Sequence, residues 1–359
     1  MKVMCTNARC SKYKKEMFAL ENACCTECGV KMKKLCQHCG SPLEDSMLEI
    51  REKNMFPLAM IGLKSAGKSN YIAVAIQELR ARGNNLGLNT LAMNQDTSDR
   101  YRANFYNYIY QNHMVVPQTD AANAKEDVQK PLIYKIIVSD KNQKPKSSLL
   151  LSFYDTAGEN LSRSEEDTES HASYISYAQG LILLVDPWQI STVREKMNQN
   201  GASLPDNKDI GCRDMIERVI RIIRKNRNCG EKDKINVPIA VVFSKIDSFS
   251  QYGFISSDSC LCRESRHMGA RCYLKEEHED TNIQMKNFLE RWTVGTESDG
   301  IVPLLESAFS DCAFFGVSAF SGGVDKYGKI NCKDGNIGSL RVLDPFLWLL
   351  YKNGSIKKK

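Results

Sequence analysis

The chain has 359 residues, of which 42% are hydrophobic and 26% charged, and its formal net charge is +6. That balance excludes wholesale disorder, and the length suits two average domains, or one large domain with an appendage, folding without disulfides. No apolar run approaches the ~18 residues of a membrane span, and the opening MKVMCTNARC lacks the apolar core of a secretory signal, so a soluble cytoplasmic protein is expected. Residues 1–39 carry eight Lys/Arg against three Glu, and Lys357, Lys358 and Lys359 close the chain. The remainder is nearly neutral, which excludes a uniformly basic nucleic-acid-coating protein.

Seven of the fourteen cysteines fall within the first 39 residues. Six of these seven read Cys5-x4-Cys10, Cys25-x2-Cys28-Gly29 and Cys36-x2-Cys39-Gly40. A Cys-x2-Cys turn aims two thiolates at one ion, and the following Gly lets the chain turn back without steric cost. The preferred set is Cys5, Cys10, Cys25 and Cys28 around one tetrahedral Zn²⁺. Cys36 and Cys39 are then half of a second ribbon; an alternative site joins them to Cys25 and Cys28. The stretch resembles the zinc ribbons that begin many bacterial proteins. A closed four-thiolate site leaves no open position, so its role is structural. The nearby Lys12, Lys14, Lys15, Lys31, Lys33 and Lys34 fit contact with nucleic acid or an acidic protein, and equally a solvated face. The expected organisation is a ribbon over 1–45 and a linker over 46–54, where Ser41-Pro42 and the acidic Glu44, Asp45 and Glu49 mark the change of composition.

From Met55 onward, strand-sized apolar runs alternate with longer amphipathic stretches. In chain order the patterning predicts a strand at Phe56–Ile61 and helices at Ser69–Arg82, closed by Gly83, and Asp99–Gln111. Strands follow at Leu132–Val138 and Leu149–Tyr154, a helix at Ser164–Ala178, and a strand at Gly180–Val185. A helix at Cys212–Lys225 precedes a strand at Pro238–Phe243. Last come a helix at Thr281–Trp292, a strand at Phe314–Val317 and a helix over Phe346–Tyr351 capped by Asp344-Pro345. Strands separated by helices predict an α/β fold, a mostly parallel sheet covered on both faces. This domain is expected over 55–352, with inserts at about 84–130, 187–212 and 248–312 and a basic tail at 353–359. The last insert holds Cys260, Cys262, His267, Cys272 and His278; its Cys-x-Cys spacing is poor for a chelating turn, so a metal-free insert is expected.

The first strand leads into Gly62-Leu-Lys-Ser-Ala-Gly67-Lys68-Ser69, a complete G-x-x-x-x-G-K-S phosphate loop. Such a loop wraps its N–H groups around phosphate while the next helix points its positive end at the same oxygens. Lys68 reaches the β and γ oxygens and Ser69 takes Mg²⁺. Gly62, Lys64, Ser65, Ala66, Gly67 and Asn70 complete the nucleotide-binding stretch. Leu149–Tyr154 leads into Asp155-Thr-Ala-Gly158-Glu159, where Asp155 can hold Mg²⁺ through water and the Gly158 N–H can sense the γ-phosphate. The strand ending at Phe243 leads into Ser244-Lys245-Ile246-Asp247, a variant of N/T-K-x-D. Asp247 would accept two hydrogen bonds from guanine N1 and N2, which adenine does not offer, and Lys245 would cover the base. Phe314–Val317 leads into Ser318-Ala319, where a backbone N–H would meet guanine O6.

With these four motifs in order, residues 55–350 resemble P-loop GTPases of the translation-factor-related class, which includes Ras-like and dynamin-like proteins. Asp155–Glu159, Asp186-Pro187-Trp188 and Val342–Leu350 more narrowly resemble bacterial double-GTPase proteins of paired, conflict-associated systems. The resemblance implies GTP/GDP, Mg²⁺ and a protein partner, such as a second GTPase. It also implies a switch threonine bound to Mg²⁺; Thr90, Thr97 and Thr119 compete, and Thr119 is preferred because Thr97 opens a helix, where capping explains it. Glu159 stands where Ras-like proteins carry a water-positioning Gln, so intrinsic turnover is expected to be slow. Lys64-Ser65 replaces glycines, as in dynamin-like loops. Lys64, or a monovalent cation near Ser65, would then stand in for an arginine finger, unless Lys64 simply points to solvent. Two functions follow: a GTP-hydrolysing switch, or a nucleotide-loaded scaffold with negligible turnover that uses the ribbon for interaction. An ATPase is disfavoured by Asp247.

Overall fold

In a computed structural model, the described residues are 2–4, 16–18, 24–30, 32–34, 55–62, 66–117, 132–140, 142–154, 178–200, 212–270, 272–296, 298–332 and 335–357. The chain divides into two compact units, Met1–Met55 and Phe56–Lys359. In the first unit, β1 (Lys2–Met4) pairs antiparallel with both β2 (Glu16–Phe18) and β3 (Lys33–Lys34).

The larger unit is built on a seven-stranded sheet. Its strands are β4 (Met55–Gly62), β5 (Leu88–Ala92), β6 (Leu132–Ser139), β7 (Pro145–Tyr154), β8 (Gly180–Val185), β9 (Ile239–Phe243) and β10 (Cys312–Gly316), in the order β10-β9-β8-β4-β7-β6-β5. β4, β8, β9 and β10 pair in parallel, whereas β5–β6 and β6–β7 are antiparallel. The sheet is therefore mixed, with more antiparallel pairing than the strand–helix alternation predicted. The reason lies in the short link from β6 to β7, since a turn of this length can only join antiparallel neighbours. Asp140 Oδ1 accepts from the N–H groups of Asn142 (2.8 Å) and Lys144 (3.0 Å) there. β5 lies within the stretch expected to be an insert. Short and half polar, it forms because its residues complete the edge beside β6.

The helices are α1 (Lys68–Arg82), α2 (Gln95–Tyr101, continuing as a π-helix over Arg102–Gln111), α3 (Ser191–Gln199), α4 (Cys212–Asn226), α5 (Asp247–Gln251), α6 (Arg266–Ala270), α7 (Lys275–Trp292), α8 (Ile301–Ala308) and α9 (Asp344–Lys352). Side chains of the central strands alternate between two cores. Phe56, Leu58 and Met60 of β4 join Ile182 and Leu184 of β8 in a core with Tyr71, Ile72 and Ile76 of α1 and Phe346 and Trp348 of α9. Ala59 and Ile61 point the other way, packing with Leu181, Leu183 and Val185 and with Met215 and Ile223 of α4 and Phe288 of α7. Burial on both faces is what a parallel sheet requires, and it explains the unbroken apolar run of β8.

The segment expected to be a metal-free insert forms α5 to α8. His267 is buried, accepts at Nδ1 from the Leu274 N–H at 3.0 Å and stacks on Tyr273 at 5.1 Å. His278 packs between Tyr273 and Phe315, and burial holds its pKa down at about 4. Cys260 and Cys262 flank a buried Leu261, and burial raises both thiols. Arg341 ties the region together: its guanidinium donates to the carbonyls of Cys260 (2.9 Å) and Arg263 (3.1 Å) and pairs with Glu277 and Asp344. Glu277 also pairs with Arg266. Burial alone would raise the Glu277 carboxyl, but the two guanidiniums outweigh it and hold the pKa at about 2.

Candidate nucleotide site

Because β4, β8, β9 and β10 run parallel, their carboxyl ends share one edge of the sheet. After β4 the chain builds β5, β6 and β7 on one side, then β8, β9 and β10 on the other. β4 is thus the switch point, beside which α/β sheets open a crevice for ligands.

Gly62 ends β4, and a Cβ there would stand 2.6 Å from the Leu184 carbonyl oxygen of β8. Glycine is needed for the two backbones to approach. Gly67 has φ +83°, a left-handed turn that sends the chain directly into α1. Lys68 is buried and its Nζ donates to the Gly62 carbonyl at 2.9 Å, so both ends of the loop meet through the ammonium. Ala66 is fully buried, while Ser69 and Asn70 lie in the first turn of α1. Asn70 Oδ1 accepts from the Val116 N–H at 2.9 Å, drawing the chain upstream of residue 119 against α1. Two of the competing threonines are absorbed into secondary structure. Thr90 lies buried in β5. Thr97 does not cap α2: Asn94 is the cap, accepting from the Thr97 N–H at 2.8 Å, and Thr97 Oγ1 instead accepts from the Ile133 N–H at 3.2 Å. The residues expected at Lys64, Ser65, Thr119, Asp155, Gly158 and Glu159 lie outside the described residues, as does most of the helix expected at Ser164–Ala178.

The second half of the crevice comes from β8, β9 and β10. The Ser244 N–H donates to the Val185 carbonyl at 3.0 Å, and the Ile246 N–H donates to the Val317 carbonyl at 3.1 Å. Asp247 and Ser318 bond reciprocally: the Asp247 N–H donates to Ser318 Oγ at 2.9 Å, and the Ser318 hydroxyl donates to Asp247 Oδ1. Burial raises the Asp247 carboxyl above its ordinary value, and the Ser318 hydroxyl and Lys245 offset part of that. Ala319 follows, half-buried against the core. Lys245 has φ +59°, and its Nζ lies 2.6 Å from Asp186 Oδ2 and 3.7 Å from the centre of the Trp188 ring. Asp186 and Trp188 were given no site role from sequence. The available signal was an acid, followed by Pro, at the end of a fully apolar strand.

In the smaller unit, Cys25 is buried and Cys28 half-buried on one tight turn. The Gly29 N–H donates to the Cys25 carbonyl at 2.8 Å, the Cys25 N–H donates to the Val30 carbonyl at 2.9 Å, and Gly29 has φ +69°. This pair of thiols on a glycine-closed turn fits one half of a tetrahedral zinc site; Cys5, Cys10, Cys36 and Cys39 lie outside the described residues. No group of three or more metal-ligating side chains occurs among the described residues.

No family model matches the chain. It is 23% identical over 152 residues to a Mycolicibacterium smegmatis protein described as a candidate ESX-1 scaffolding and assembly protein, SaeC. That match takes in 41% of this chain and 37% of the other, so it spans little more than a third of the relative's length. Among solved structures, the Arl6 BBS3 small GTPase from Trypanosoma brucei with bound GppNp overlaps 84% of this chain and 99% of its own, at 10% identity and a TM-score of 0.33. The GTP-bound GTPase-like domain of Ski7 from S. cerevisiae overlaps 84% of this chain and 51% of its own, at 14% identity and a TM-score of 0.34. Among the described residues, no helix is long and apolar enough to cross a membrane.

Proposed function

We propose that the larger unit, a P-loop GTPase domain over 55–352, binds a guanine nucleoside triphosphate with Mg²⁺ and hydrolyses it to GDP and phosphate as a cytoplasmic switch acting with a protein partner. The observation that carries this reading is that Gly62 with Lys68, the Ser244–Asp247 turn and Ser318 all follow the carboxyl ends of the parallel strands β4, β9 and β10, on the same edge of the sheet. Lys68 would reach the β and γ oxygens, and Ser69 would hold Mg²⁺ with Asp155 and Thr119. Gly158 would face the γ-phosphate and Glu159 the attacking water. Bound there, Mg²⁺ would neutralise charge developing on the phosphates. Lys64, or a cation beside Ser65, would supply the internal charge compensation otherwise given by an arginine finger. Asp247 would pair with guanine N1 and N2, with Lys245 over the ring and the backbone at Ser318-Ala319 at O6. Cys5, Cys10, Cys25 and Cys28 would bind a structural Zn²⁺ in the head. The resemblance to double-GTPase proteins extends the reading to a second GTPase as partner in a conflict or defence system.

The test is nucleotide titration of the purified chain. GTP and GDP should bind and ATP should not, and Asp247→Asn should move the preference to xanthine nucleotides, because the amide offers the complementary hydrogen bonds. Unchanged GTP affinity in that variant, or equal binding of ATP by the wild type, would remove the reading. A second reading, a nucleotide-loaded scaffold, is favoured by Glu159, whose carboxylate would repel a γ-phosphate bound where the D-x-x-G stretch is expected to face it, and agrees with the scaffolding description of the M. smegmatis protein. Single-turnover GTP hydrolysis separates the two: a switch cleaves bound GTP, and a scaffold holds it intact.

A further inference from the structure

Asp186, Pro187 and Trp188 follow β8 directly, at the same strand edge as the phosphate loop. Asp186 is buried and divides its two oxygens between two tasks. Oδ1 accepts from the Trp188 N–H at 3.0 Å and fixes the turn, while Oδ2 lies 2.6 Å from Lys245 Nζ. The same ammonium sits over the Trp188 ring. It is therefore held between a carboxylate and an aromatic face, two environments that each favour a cation. The Lys245 backbone is left-handed, which a lysine adopts only when its surroundings impose it. Two contacts thus hold one side chain that elsewhere ranks among the most mobile, on a backbone position that is itself constrained.

That fixing has a consequence for ligand binding. A lysine frozen by its ligand costs rotamer entropy at the moment of association; one already frozen does not. With the ammonium satisfied by protein groups, a third of the side chain is still exposed. With Nζ engaged by Asp186 and Trp188, the methylene stem is the part of the side chain left uncommitted. Resting on the guanine-nucleotide reading above, we infer that Asp186 and Trp188 are positioning residues for base recognition: they hold Lys245 so that its stem forms an apolar plate against the purine ring, and its charge takes no part in binding phosphate.

A double-mutant cycle on the full chain tests this, with fluorescent GDP and GTP as probes. Asp186→Asn keeps an oxygen for the Trp188 N–H and removes the charge, and should weaken GDP binding about tenfold, the size expected for coupled neighbours. Lys245→Met should weaken it at least as much. The double variant should be no weaker than Lys245→Met alone, since Asp186 acts through Lys245. The loss should be equal for GDP and GTP, because the base is common to both. Trp188→Leu gives a second route that leaves Asp186 in place, and its loss should likewise vanish in the Lys245→Met background; a thermal melt of each variant confirms that it is folded. Wild-type affinity in folded Asp186→Asn, a full loss persisting in the Lys245→Met background, or a penalty larger for GTP than for GDP would each overturn the inference while leaving the guanine reading intact. A wild type that binds neither nucleotide would overturn the guanine reading itself, and this inference with it.

Discussion

At the scale of single residues, the proposed guanine site rests on Asp247, a partly buried carboxylate that would have to be ionised to accept from the base. Burial raises the Asp247 carboxyl above the ordinary 3.8, and the Ser318 hydroxyl opposes that by donating to Oδ1. The sign follows directly. As pH falls through the raised value the carboxylate takes up a proton and loses its acceptor pair, so GDP affinity should fail at a higher pH than an ordinary aspartate would dictate. Ser318→Ala removes a hydrogen bond that favours the charged form, so the acid limb of the binding profile should move to still higher pH. Fluorescent GDP titration over about pH 4 to 8 reads this. An acid limb that stays in place in Ser318→Ala would mean that the Asp247–Ser318 bond does not tune the carboxylate. Gly62 makes a second point at this scale. Gly62→Ala would drive a Cβ into the Leu184 carbonyl of β8, and should cost ~1–3 kcal/mol in denaturant unfolding at constant slope.

At the scale of elements, α7 and the segment entering α9 are joined by the buried Arg341–Glu277–Asp344 cluster. Glu277→Gln leaves Arg341 beside one carboxylate instead of two, and should cost about 1.5–3 kcal/mol, the worth of a charge-assisted bond whose partner stays paired with Asp344. Two groups here set an acid sequence. His278 is held neutral, its pKa lowered from 6.5 to about 4, so the stability it contributes is complete above 6.5 and is lost as pH falls toward 4. Glu277 is held charged, from 4.5 down to about 2, so its contribution is complete above 4.5 and is lost as pH falls toward 2. His278→Phe should shrink the upper limb of the stability–pH curve, to which the buried His267 also contributes because burial lowers its pKa as well, and leave the lower one. An upper limb of unchanged size in this variant would reassign it. The same elements show what sequence patterning reads and misses. β4, β8 and β9 were legible because both faces are buried and their apolar runs are continuous. β5 was not, since Asn89, Leu91 and Ala92 are exposed and only its pairing with β6 makes it a strand. The spacing of Gly62, Gly67 and Lys68 marked the end of β4 and the start of α1, and Ser244–Asp247 was marked as the turn after β9. The Asp186–Lys245–Trp188 contact joins residues 59 apart, and no local pattern carries it.

At the scale of the whole molecule, the division at Met55/Phe56 separates the cysteine-rich head from every residue placed around the candidate nucleotide site. The head's described strands are two or three residues long, and units of this size commonly add a metal or cross-links to a small core. The larger unit has two extensive cores of its own, one on each face of its sheet. Metal removal should therefore act on the two units unequally. The purified full chain should hold about one Zn²⁺, with the head's folding free energy largely that of binding the ion. Treatment with a strong chelator should release it, make Cys25 and Cys28 titratable by a thiol reagent, and expose the head to proteolysis. GDP affinity should stay within about twofold, because the strands that carry the candidate site are packed in the cores of the larger unit. Cys25→Ser with Cys28→Ser should reproduce the chelated state without chelator. A purified chain with no zinc and freely titratable thiols would remove the metal from the head. Loss of GDP binding in step with loss of zinc would instead make the head part of the nucleotide site, and the division at residue 55 would then describe folding but not function.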